Sequence, residues 1–203
     1  MSRTNLAHKT EPITAEEYLE FERAAKDKHE FIGGRIVAMA GATDRHNVIA
    51  SNLFLEIGIQ LKRTKCRPFA SDMRVNAKAG NYFYPDIVVT CGERKFEDVK
   101  KKDVLINPTA IFEVLSKSTK LKDRNEKFAA YIQLESLTDY VLIEQDAMKI
   151  EHYSRVDEKN WNLRIYAAAD EEIIFKSINC TLSLADIYEE ISFTKDSPGQ
   201  SRH

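Results

Sequence analysis

Cysteine is scarce in this chain of 203 residues, which contains only three, Cys66, Cys91 and Cys180. The three are far apart, and their odd number argues against a disulfide framework of the kind found in small secreted domains. Their positions also lack the close pairs that metal-binding cysteines show. We therefore expect all three to be small hydrophobic side chains that are buried or half-buried.

Long hydrophobic runs are absent as well. No stretch approaches the ~18 consecutive apolar residues that a membrane span requires, and the N-terminal residues lack the apolar core of a secretory signal. Both absences predict a cytoplasmic protein that does not enter a membrane. Hydrophobic residues still make up 43% of the chain, which is enough for a sizeable core.

Linkers, internal repeats and low-complexity segments are also missing between two polar ends. A chain of 203 residues fits one domain better than two. The composition predicts a flexible N-terminus at 1–12, a folded domain at 13–192 and a flexible tail at 193–203.

Neither sign of charge dominates, because 30 Lys and Arg residues face 32 Asp and Glu residues, for a formal net charge of −2. The chain as a whole is therefore not basic enough to predict nucleic-acid binding, which would need a local patch. One candidate patch, Lys100–Lys102, is typical of a solvated loop. The other lies next to the chemistry described below and comprises Lys117, Lys120, Lys122 and Arg124.

The first third of the chain carries helix and hairpin signals. Thr14 followed by Glu17 forms a capping box and predicts a helix at 14–27. The pair Gly33-Gly34 supplies the positive φ of a tight turn and predicts a hairpin. Apolar residues at helical spacing predict a long amphipathic helix at 44–63.

The rest of the chain alternates between strand and helix signals, which predicts a mixed α/β fold. A period-two pattern predicts one strand, and apolar runs predict others. The order strand, helix, strand implies two locally parallel strands within an otherwise antiparallel sheet. The predicted elements are strands at 69–76, 82–90, 110–115 and 139–143, a helix at 120–134, a meander at 149–155, 161–167 and 173–178, and a closing helix at 183–191.

Asp86 and Glu113 occupy positions where a sheet does not favour charge. Glu113 interrupts the apolar run at 110–115, and Asp86 directly precedes the apolar run at 87–89. A desolvated carboxylate without a partner costs several kcal/mol, so such residues usually meet a partner or a cation. If the two strands are neighbours, the carboxylates form a pair that suits Mg²⁺ or Mn²⁺ rather than zinc.

Lys127 follows on the helix after the Glu113 strand. Asp123, Lys127 and Tyr131 share one helix face because they are four residues apart. If that face is directed toward the strand ends, the ammonium group lies near the metal and stabilises charge on a phosphate. Taken singly, the residues have structural explanations: Asp86 as a turn cap, Glu113 paired with a lysine at a sheet edge, and a surface ion pair between Asp123 and Lys127. Their order on strand, strand and following helix favours the catalytic interpretation.

The same residues carry a resemblance to known nucleases. Pro85-Asp86 followed by Glu113 in a buried strand resembles the PD-(D/E)XK nuclease superfamily, and the wider set resembles the Uma2 family of predicted restriction endonucleases. The resemblance covers about residues 13–190. Besides these three residues it includes Thr14, Tyr18, the hairpin at 30–34, His46, Tyr84, the segments 87–89, 112 and 114–119, Asp123, Lys127, Tyr131 and the strand at 139–143.

The resemblance implies a restriction-endonuclease-like mixed sheet flanked by helices. It implies a metal-dependent endonuclease that hydrolyses phosphodiester bonds of nucleic acid, with DNA as the expected substrate. Asp86 and Glu113 would hold Mg²⁺, for which Mn²⁺ can substitute. The oligomeric state stays open, and a homodimer is one possibility.

The superfamily pattern places a lysine two positions after the second acid, where this chain has Leu115. The resemblance therefore assigns the catalytic lysine to Lys127, on the neighbouring helix. It also makes Glu30 a further acid of the site, with an exposed strand residue as the alternative. The candidate substrate contacts are His46, Ser116 and Lys117. His46 and Ser116 also suit a helix start.

Two other functions are compatible with the sequence. A non-catalytic binding module can keep a nuclease fold as a scaffold, because fold does not fix function. A metal-dependent phosphoesterase that acts on a smaller substrate would use the same carboxylates.

Overall fold

The computed structural model describes residues 12–78, 80–116 and 120–193. The flexible ends expected at 1–12 and 193–203 fall almost entirely outside these residues. In chain order the helices are α1 (Ala15–Ala24), α2 (Asp44–Leu61), α3 (Lys120–Lys122), a π-helix (Asp123–Lys127), α4 (Phe128–Tyr131) and α5 (Leu184–Ile187), and the strands are β1 (His29–Ile32), β2 (Arg35–Ala38), β3 (Cys66–Ala70), β4 (Arg74–Asn76), β5 (Tyr82–Phe83), β6 (Ile87–Cys91), β7 (Val104–Leu105), β8 (Ala110–Leu115), β9 (Asp139–Glu144), β10 (Ile150–Arg155), β11 (Trp161–Tyr166), β12 (Glu172–Phe175) and β13 (Cys180–Ser183).

The strands form a six-stranded sheet, a five-stranded sheet and a two-stranded ribbon. In the six-stranded sheet the order is β11-β10-β9-β8-β6-β3, and in the five-stranded sheet it is β2-β1-β5-β4-β7. Strands β8 and β9 run parallel, with the helical segment 120–131 between them, whereas β6 and β8 run antiparallel. The predicted strand–helix–strand unit and the mixed α/β class are therefore confirmed. In the part of the chain that the structure describes, no helix is long and apolar enough to cross a membrane.

The N-terminal part folds as its capping and turn residues predict. The Thr14 hydroxyl accepts a hydrogen bond from the Glu17 N–H at 3.2 Å, and the Glu17 carboxylate accepts one from the Thr14 N–H at 2.9 Å. Gly33 and Gly34 have φ angles of 55° and 81°, which let β1 turn directly into β2. A Cβ on Gly34 would lie 2.7 Å from the Cβ of Pro12, so this turn also requires the absence of a side chain.

Two segments that were predicted to be single strands are each divided between the two sheets. The segment 69–76 is divided into β3 and β4, because the Met73 N–H bonds to the Ala70 carbonyl oxygen at 3.1 Å and closes a turn. The segment 82–90 is divided into β5 and β6 near Pro85, which has no N–H to donate to a ladder. The alternation of side chains was predicted correctly, but the change of sheet was not.

Three predictions for the C-terminal half were also wrong in detail. The meander ends after β11, since β12 pairs with β13 in the separate ribbon. The closing helix, predicted at 183–191, is shorter and spans only Leu184–Ile187 as α5. The helix predicted at 120–134 is present, but its middle is a π-helix, which the spacing of apolar residues does not reveal.

Cys66 and Cys91 are joined by a disulfide bond, which contradicts the expectation of three independent thiols. The two meet because β3 and β6 pair in antiparallel register with Cys66 opposite Cys91. The odd count was misleading because the third cysteine, Cys180, is free and buried, as expected.

The six-stranded sheet is covered on both faces. One face packs against α2, α5 and the ribbon. The other packs against α4 and the five-stranded sheet. Because side chains alternate along a strand, Glu113 shares the second face with Ile111 and Leu115, and Asp86 shares it with Val88. The two candidate metal ligands therefore lie on the same side of the sheet.

Candidate active site

A single ammonium group lies among three buried carboxylates. Lys127 Nζ is 3.0 Å from Glu113 Oε1, 3.0 Å from Glu30 Oε1 and 3.1 Å from Asp123 Oδ1. These residues come from β8, from β1 and from the π-helix. All four are nearly inaccessible, with exposed fractions between 2% and 5%. We call these four residues the acidic cluster.

Burial and mutual charge set the protonation of the acidic cluster. Burial lowers the pKa of Lys127, but the carboxylates of Glu113, Glu30 and Asp123 outweigh it and hold that pKa well above its usual value. Burial raises the pKa of Glu113 well above its usual value, and the neighbouring carboxylates add to this against the attraction of Lys127. Burial also opposes ionisation of Glu30, but Lys127 and Lys122 outweigh it and lower the pKa of that residue. The cluster therefore favours a charged lysine and a Glu113 that holds its proton more firmly than a free glutamate does.

Asp86 approaches the acidic cluster from the start of β6. The register pairs Ile87 with Phe112, so one further step places Asp86 opposite Glu113 on the same face of the sheet. The Asp86 carboxylate accepts a hydrogen bond from the Val114 N–H at 2.7 Å, which holds it beside β8. The charge of Asp86 contributes to the raised pKa of Glu113, as expected for neighbouring carboxylates.

His46 contacts Asp86 from the first turn of α2. Its Nε2 lies 3.0 Å from Asp86 Oδ1, within hydrogen-bond distance. Burial lowers the pKa of His46, but the hydrogen bond to Asp86 outweighs it and raises that pKa. The other ring nitrogen, Nδ1, is buried and has no hydrogen-bond partner among the residues that the structure describes. His46 is therefore a neighbour of the candidate metal ligand, and its contact with substrate stays a prediction.

Hydrogen bonds to two neighbouring strands, β9 and β10, tie the π-helix to the six-stranded sheet. Single π turns are rare and frequently occur at functional sites. The Tyr140 hydroxyl on β9 donates a hydrogen bond to the Asp123 carbonyl oxygen at 2.8 Å. Arg124 donates two hydrogen bonds, of 2.9 and 3.1 Å, to the Glu151 carboxylate on β10. These bonds position the helix that carries Lys127.

The donor chemistry of Asp86 and Glu113 fits a hard divalent cation. Mg²⁺ commonly binds through one or two carboxylates, while water and substrate phosphate supply its other ligands. Two buried oxygens nearby, Glu30 Oε1 and Asp123 Oδ1, lie at ion-pair distance from Lys127 but receive no hydrogen bond from the described residues. Within 12–78, 80–116 and 120–193, no group of three or more His, Cys, Asp or Glu side chains is arranged to hold a metal ion. These residues therefore fit an open site with two carboxylates, not a closed cage.

Solvent reaches this region on the Asp86 side. The side chains of Asp86 and His46 are 17% and 15% exposed, whereas that of Glu113 is 4% exposed. A cleft of about 450 Å³ also opens between the β1–β2 hairpin and the π-helix, next to Lys122. The Lys122 ammonium forms an ion pair with Glu30. A substrate would therefore meet Asp86 and His46 before the buried cluster.

The structure brings five of the residues singled out in the sequence into one region. Glu30 is 3% exposed, so its alternative role as an exposed strand residue is wrong. The ion pair between Lys127 and Asp123 is buried, so the surface ion pair is wrong as well. The five residues are Glu30, His46, Asp86, Glu113 and Lys127.

Two further candidate substrate contacts come directly after β8, the strand that carries Glu113. Ser116 follows β8, and its carbonyl oxygen accepts a hydrogen bond from the Lys120 N–H at 3.0 Å, as at a helix start. Lys117 lies outside the described residues. A role in substrate binding stays a prediction for both.

Sequence reasoning did not assign Lys122 to the site. The side chain was noted only as part of a basic stretch, and its pairing with Glu30 joins residues 92 positions apart. Asp123 was recognised as a neighbour of Lys127 but not as a buried member of the cluster. No local pattern reports such contacts, because they depend on how the hairpin packs against the helix.

Comparisons with known proteins identify the family of the chain. The family model of Uma2, "Putative restriction endonuclease", matches residues 15–185. The chain belongs to the Uma2 family. Two uncharacterized proteins of Synechocystis sp. (strain ATCC 27184 / PCC 6803 / Kazusa) are similar to this Uma2 chain. The protein sll1609 is 39% identical over 82% of the chain and 94% of its own length, and slr1290 is 33% identical over 89% and 94%.

A solved structure shares the fold of this Uma2 protein. It is the "crystal structure of a putative nuclease belonging to DUF820 from Anabaena variabilis ATCC 29413". The two match with a TM-score of 0.74 and 20% sequence identity, over 87% of this chain and 98% of the other. The restriction-endonuclease-like fold that the sequence predicted is therefore confirmed. Family and fold together are those of the nuclease class.

Proposed function

We propose that this Uma2 protein is a metal-dependent endonuclease that hydrolyses phosphodiester bonds, with DNA as its substrate. The observation that carries the proposal is the pairing of Lys127 with Glu113 at 3.0 Å, on the strand next to Asp86. A carboxylate pair beside a buried, charged lysine is costly to maintain for stability alone. Such a set is typical of a site that manages charge on a phosphate.

Each residue has a distinct proposed role. Asp86 and Glu113 would hold Mg²⁺, which when bound supplies a water of lowered pKa and charge neutralisation for the departing oxygen. Lys127 keeps its proton at neutral pH and so provides a fixed positive charge next to the reacting phosphate. Glu30 and Asp123 hold the lysine in place through their ion pairs. His46 orients Asp86 through its hydrogen bond.

The test is cleavage of supercoiled plasmid DNA by the purified chain, with Mg²⁺ and with EDTA. We expect nicked or linear product only with Mg²⁺, and loss of cleavage in Asp86→Asn and Glu113→Gln. The matched control is Glu158→Gln, which removes an exposed carboxylate on the β10–β11 loop. Equal activity in all four proteins would overturn the proposal.

The same assay separates the two other functions. A folded protein that binds DNA but never cuts it would be a binding module. A protein that hydrolyses bis-p-nitrophenyl phosphate with Mg²⁺ but leaves DNA and RNA intact would be a small-substrate phosphoesterase. Either outcome replaces the proposed endonuclease.

A further inference from the structure

A groove of about 710 Å³ lies on the side of the domain where β3, β6 and the loop before β7 meet. We infer that this groove binds the sugar-phosphate backbone of the DNA a few nucleotides away from the bond that is cut, an inference that rests on the proposed function. Its lining includes Phe69, Met73, Arg94, Lys95, Phe96 and Lys102. We call it the basic groove.

Charge in the basic groove is complementary to a polyanion. Its lining contains three cations, Arg94, Lys95 and Lys102, against one carboxylate, Glu93. All three cations are exposed, and their side chains form no ion pair with any residue that the structure describes. Elsewhere the basic side chains near the site are paired with acids, as Arg124 is with Glu151. Unpaired cations in a chain of net charge −2 form the local patch that binding of phosphates requires.

The loop that carries these cations is held in place by hydrogen bonds. Phe96 forms a β-bridge with Leu105, and the Ile106 N–H donates to the Lys95 carbonyl oxygen at 3.0 Å. The Asn107 side chain accepts from the Lys95 N–H at 2.8 Å and donates to the Glu93 carbonyl oxygen at 2.9 Å. The backbone is therefore ordered before any ligand binds, which reduces the entropic cost of binding.

Apolar side chains form the floor of the basic groove. Phe69, Met73 and Phe96 are half-buried and pack against the core on the sheet face that carries Asp86 and Glu113. Val99 is 75% exposed at the edge of the groove. Aromatic and apolar surface between cations is typical of sites that contact sugars and bases as well as phosphates.

The groove is close enough to Asp86 to contact the same nucleic acid strand. Phe69 is opposite Val88, which is two residues from Asp86 on the same face. At ~3.3 Å per residue along a strand and ~4.8 Å between strands, the two backbone positions are about 8 Å apart. One DNA strand rises ~3.4 Å per nucleotide. The Phe69 side of the groove is thus two or three nucleotides from the candidate metal site. Arg94 and Lys95 follow the end of β6 at Cys91, which is five residues from Asp86, so the cations begin about 17 Å, or about five nucleotides, from that site.

The test is binding of a fluorescein-labelled 20-base-pair DNA duplex, measured by anisotropy in EDTA so that no cleavage occurs. The test variant is Arg94→Gln/Lys95→Gln/Lys102→Gln. A matched control, Lys62→Gln/Lys159→Gln/Lys176→Gln, removes the same charge from exposed positions outside the groove. We expect at least about tenfold weaker binding for the groove variant, and a salt slope that is shallower by up to about 2.7, because three phosphate contacts are lost. We expect the control to bind within about twofold of the wild type.

Each other result overturns the inference. Equal weakening in both triple variants would mean that only net charge matters, and wild-type binding by the groove variant would mean that the groove is not used. Binding of poly-L-glutamate but not of duplex DNA would point to an acidic protein partner. The two proposals fail separately, because cleavage with normal binding by the groove variant rejects only the groove. Loss of binding in that variant without any Mg²⁺-dependent cleavage by the wild type rejects only the nuclease.

Discussion

Lys127 Nζ lies 3.0 Å from Glu113 Oε1, in a buried contact between the π-helix and β8. The two residues are 14 positions apart in the sequence. The superfamily pattern would place a lysine at position 115 of this chain, but Leu115 packs in the core. The charge is instead supplied from the neighbouring helix, as the sequence predicted for Lys127. Lys127 therefore reaches Glu113 from the helix that follows β8 and not from β8 itself.

Substitution of Lys127 by Met should destabilise the protein most at high pH. Glu113, Glu30 and Asp123 would lose their shared cation, and an uncompensated buried charge costs about 3–5 kcal/mol. Lys127 lowers the pKa values of Glu113 and Glu30, so without it the folded-state pKa values of these two acids rise and their protonated forms fit the fold. The deficit should therefore be small below the usual carboxylate pKa and grow as pH rises through the raised values. Urea denaturation at pH 5 and pH 8 measures this difference.

Lys120→Met is the matched control for that experiment. Lys120 pairs with Glu144, but its side chain is 45% exposed. Exposed ion pairs contribute ~0–1 kcal/mol, so this variant should differ little from the wild type. If Lys127→Met were as stable as Lys120→Met at pH 8, the buried cluster would not have the energetics described here.

Tyr140→Phe should impair cleavage although the Tyr140 hydroxyl donates its hydrogen bond to the Asp123 backbone and not to Asp86 or Glu113. Its hydroxyl donates a buried hydrogen bond to the Asp123 carbonyl oxygen, which anchors the π-helix. Loss of this hydrogen bond should lower the free energy of unfolding by about 1 kcal/mol. It should also lower kcat more than it changes KM, because Lys127 is carried by the helix that the bond anchors. Tyr166→Phe, in the core on the other face, is the control and should keep wild-type kinetics. Unchanged kcat in Tyr140→Phe would mean that the anchor does not position the site.

Glu151 should contribute to stability only above its pKa. Burial raises this pKa, but the hydrogen bonds from Arg124 and Lys149 outweigh it and lower the value below that of a free glutamate. The stabilisation is therefore complete above the unfolded-state pKa and is lost as pH falls through the lower folded-state value. The urea midpoint of Glu151→Gln should fall less steeply between pH 6 and pH 3 than that of the wild type. Parallel curves for the two proteins would show that the pair with Arg124 carries no such energy.

The disulfide predicts the number of titratable thiols. With Cys66 bonded to Cys91, the chain unfolded in guanidinium without reductant should give one thiol per molecule with Ellman's reagent, from Cys180. After reduction and desalting it should give three. Closing a loop with a sequence separation of 25 should also add about 3 kcal/mol to the free energy of unfolding. Three thiols before reduction would exclude the bond.

Local signals in the sequence predicted the elements that depend on local chemistry. The capping box at Thr14 and the Gly33-Gly34 turn follow from residues that act on nearby backbone, and the parallel pair of β8 and β9 follows from the order strand, helix, strand. The division of 69–76 between two sheets does not, since alternation is the same in either sheet. The same limit explains why the Cys66–Cys91 bond was missed.

For the candidate site, the sequence identified the residue types but not their contacts. Charge at Asp86 and Glu113 stands out against the apolar runs beside it, so both were singled out as candidate ligands. The ion pair between Lys122 and Glu30 joins a hairpin to a distant helix and has no sequence signal. The π-helix was missed because it changes the backbone bonding of Asp123–Lys127 without a change of composition.

Binding of Mn²⁺ tests the central claim, that Asp86 and Glu113 hold a divalent cation, most directly. Isothermal titration and electron paramagnetic resonance would be applied to the wild type, Asp86→Asn, Glu113→Gln and the control Glu158→Gln. We predict saturable binding by the wild type and the control. The affinity of the two site variants should fall at least on the order of 10–100-fold, which is the loss seen when only a residue that supports a metal ligand is removed. Wild-type affinity in both site variants, or no saturable binding by any of the four folded proteins, would contradict the account.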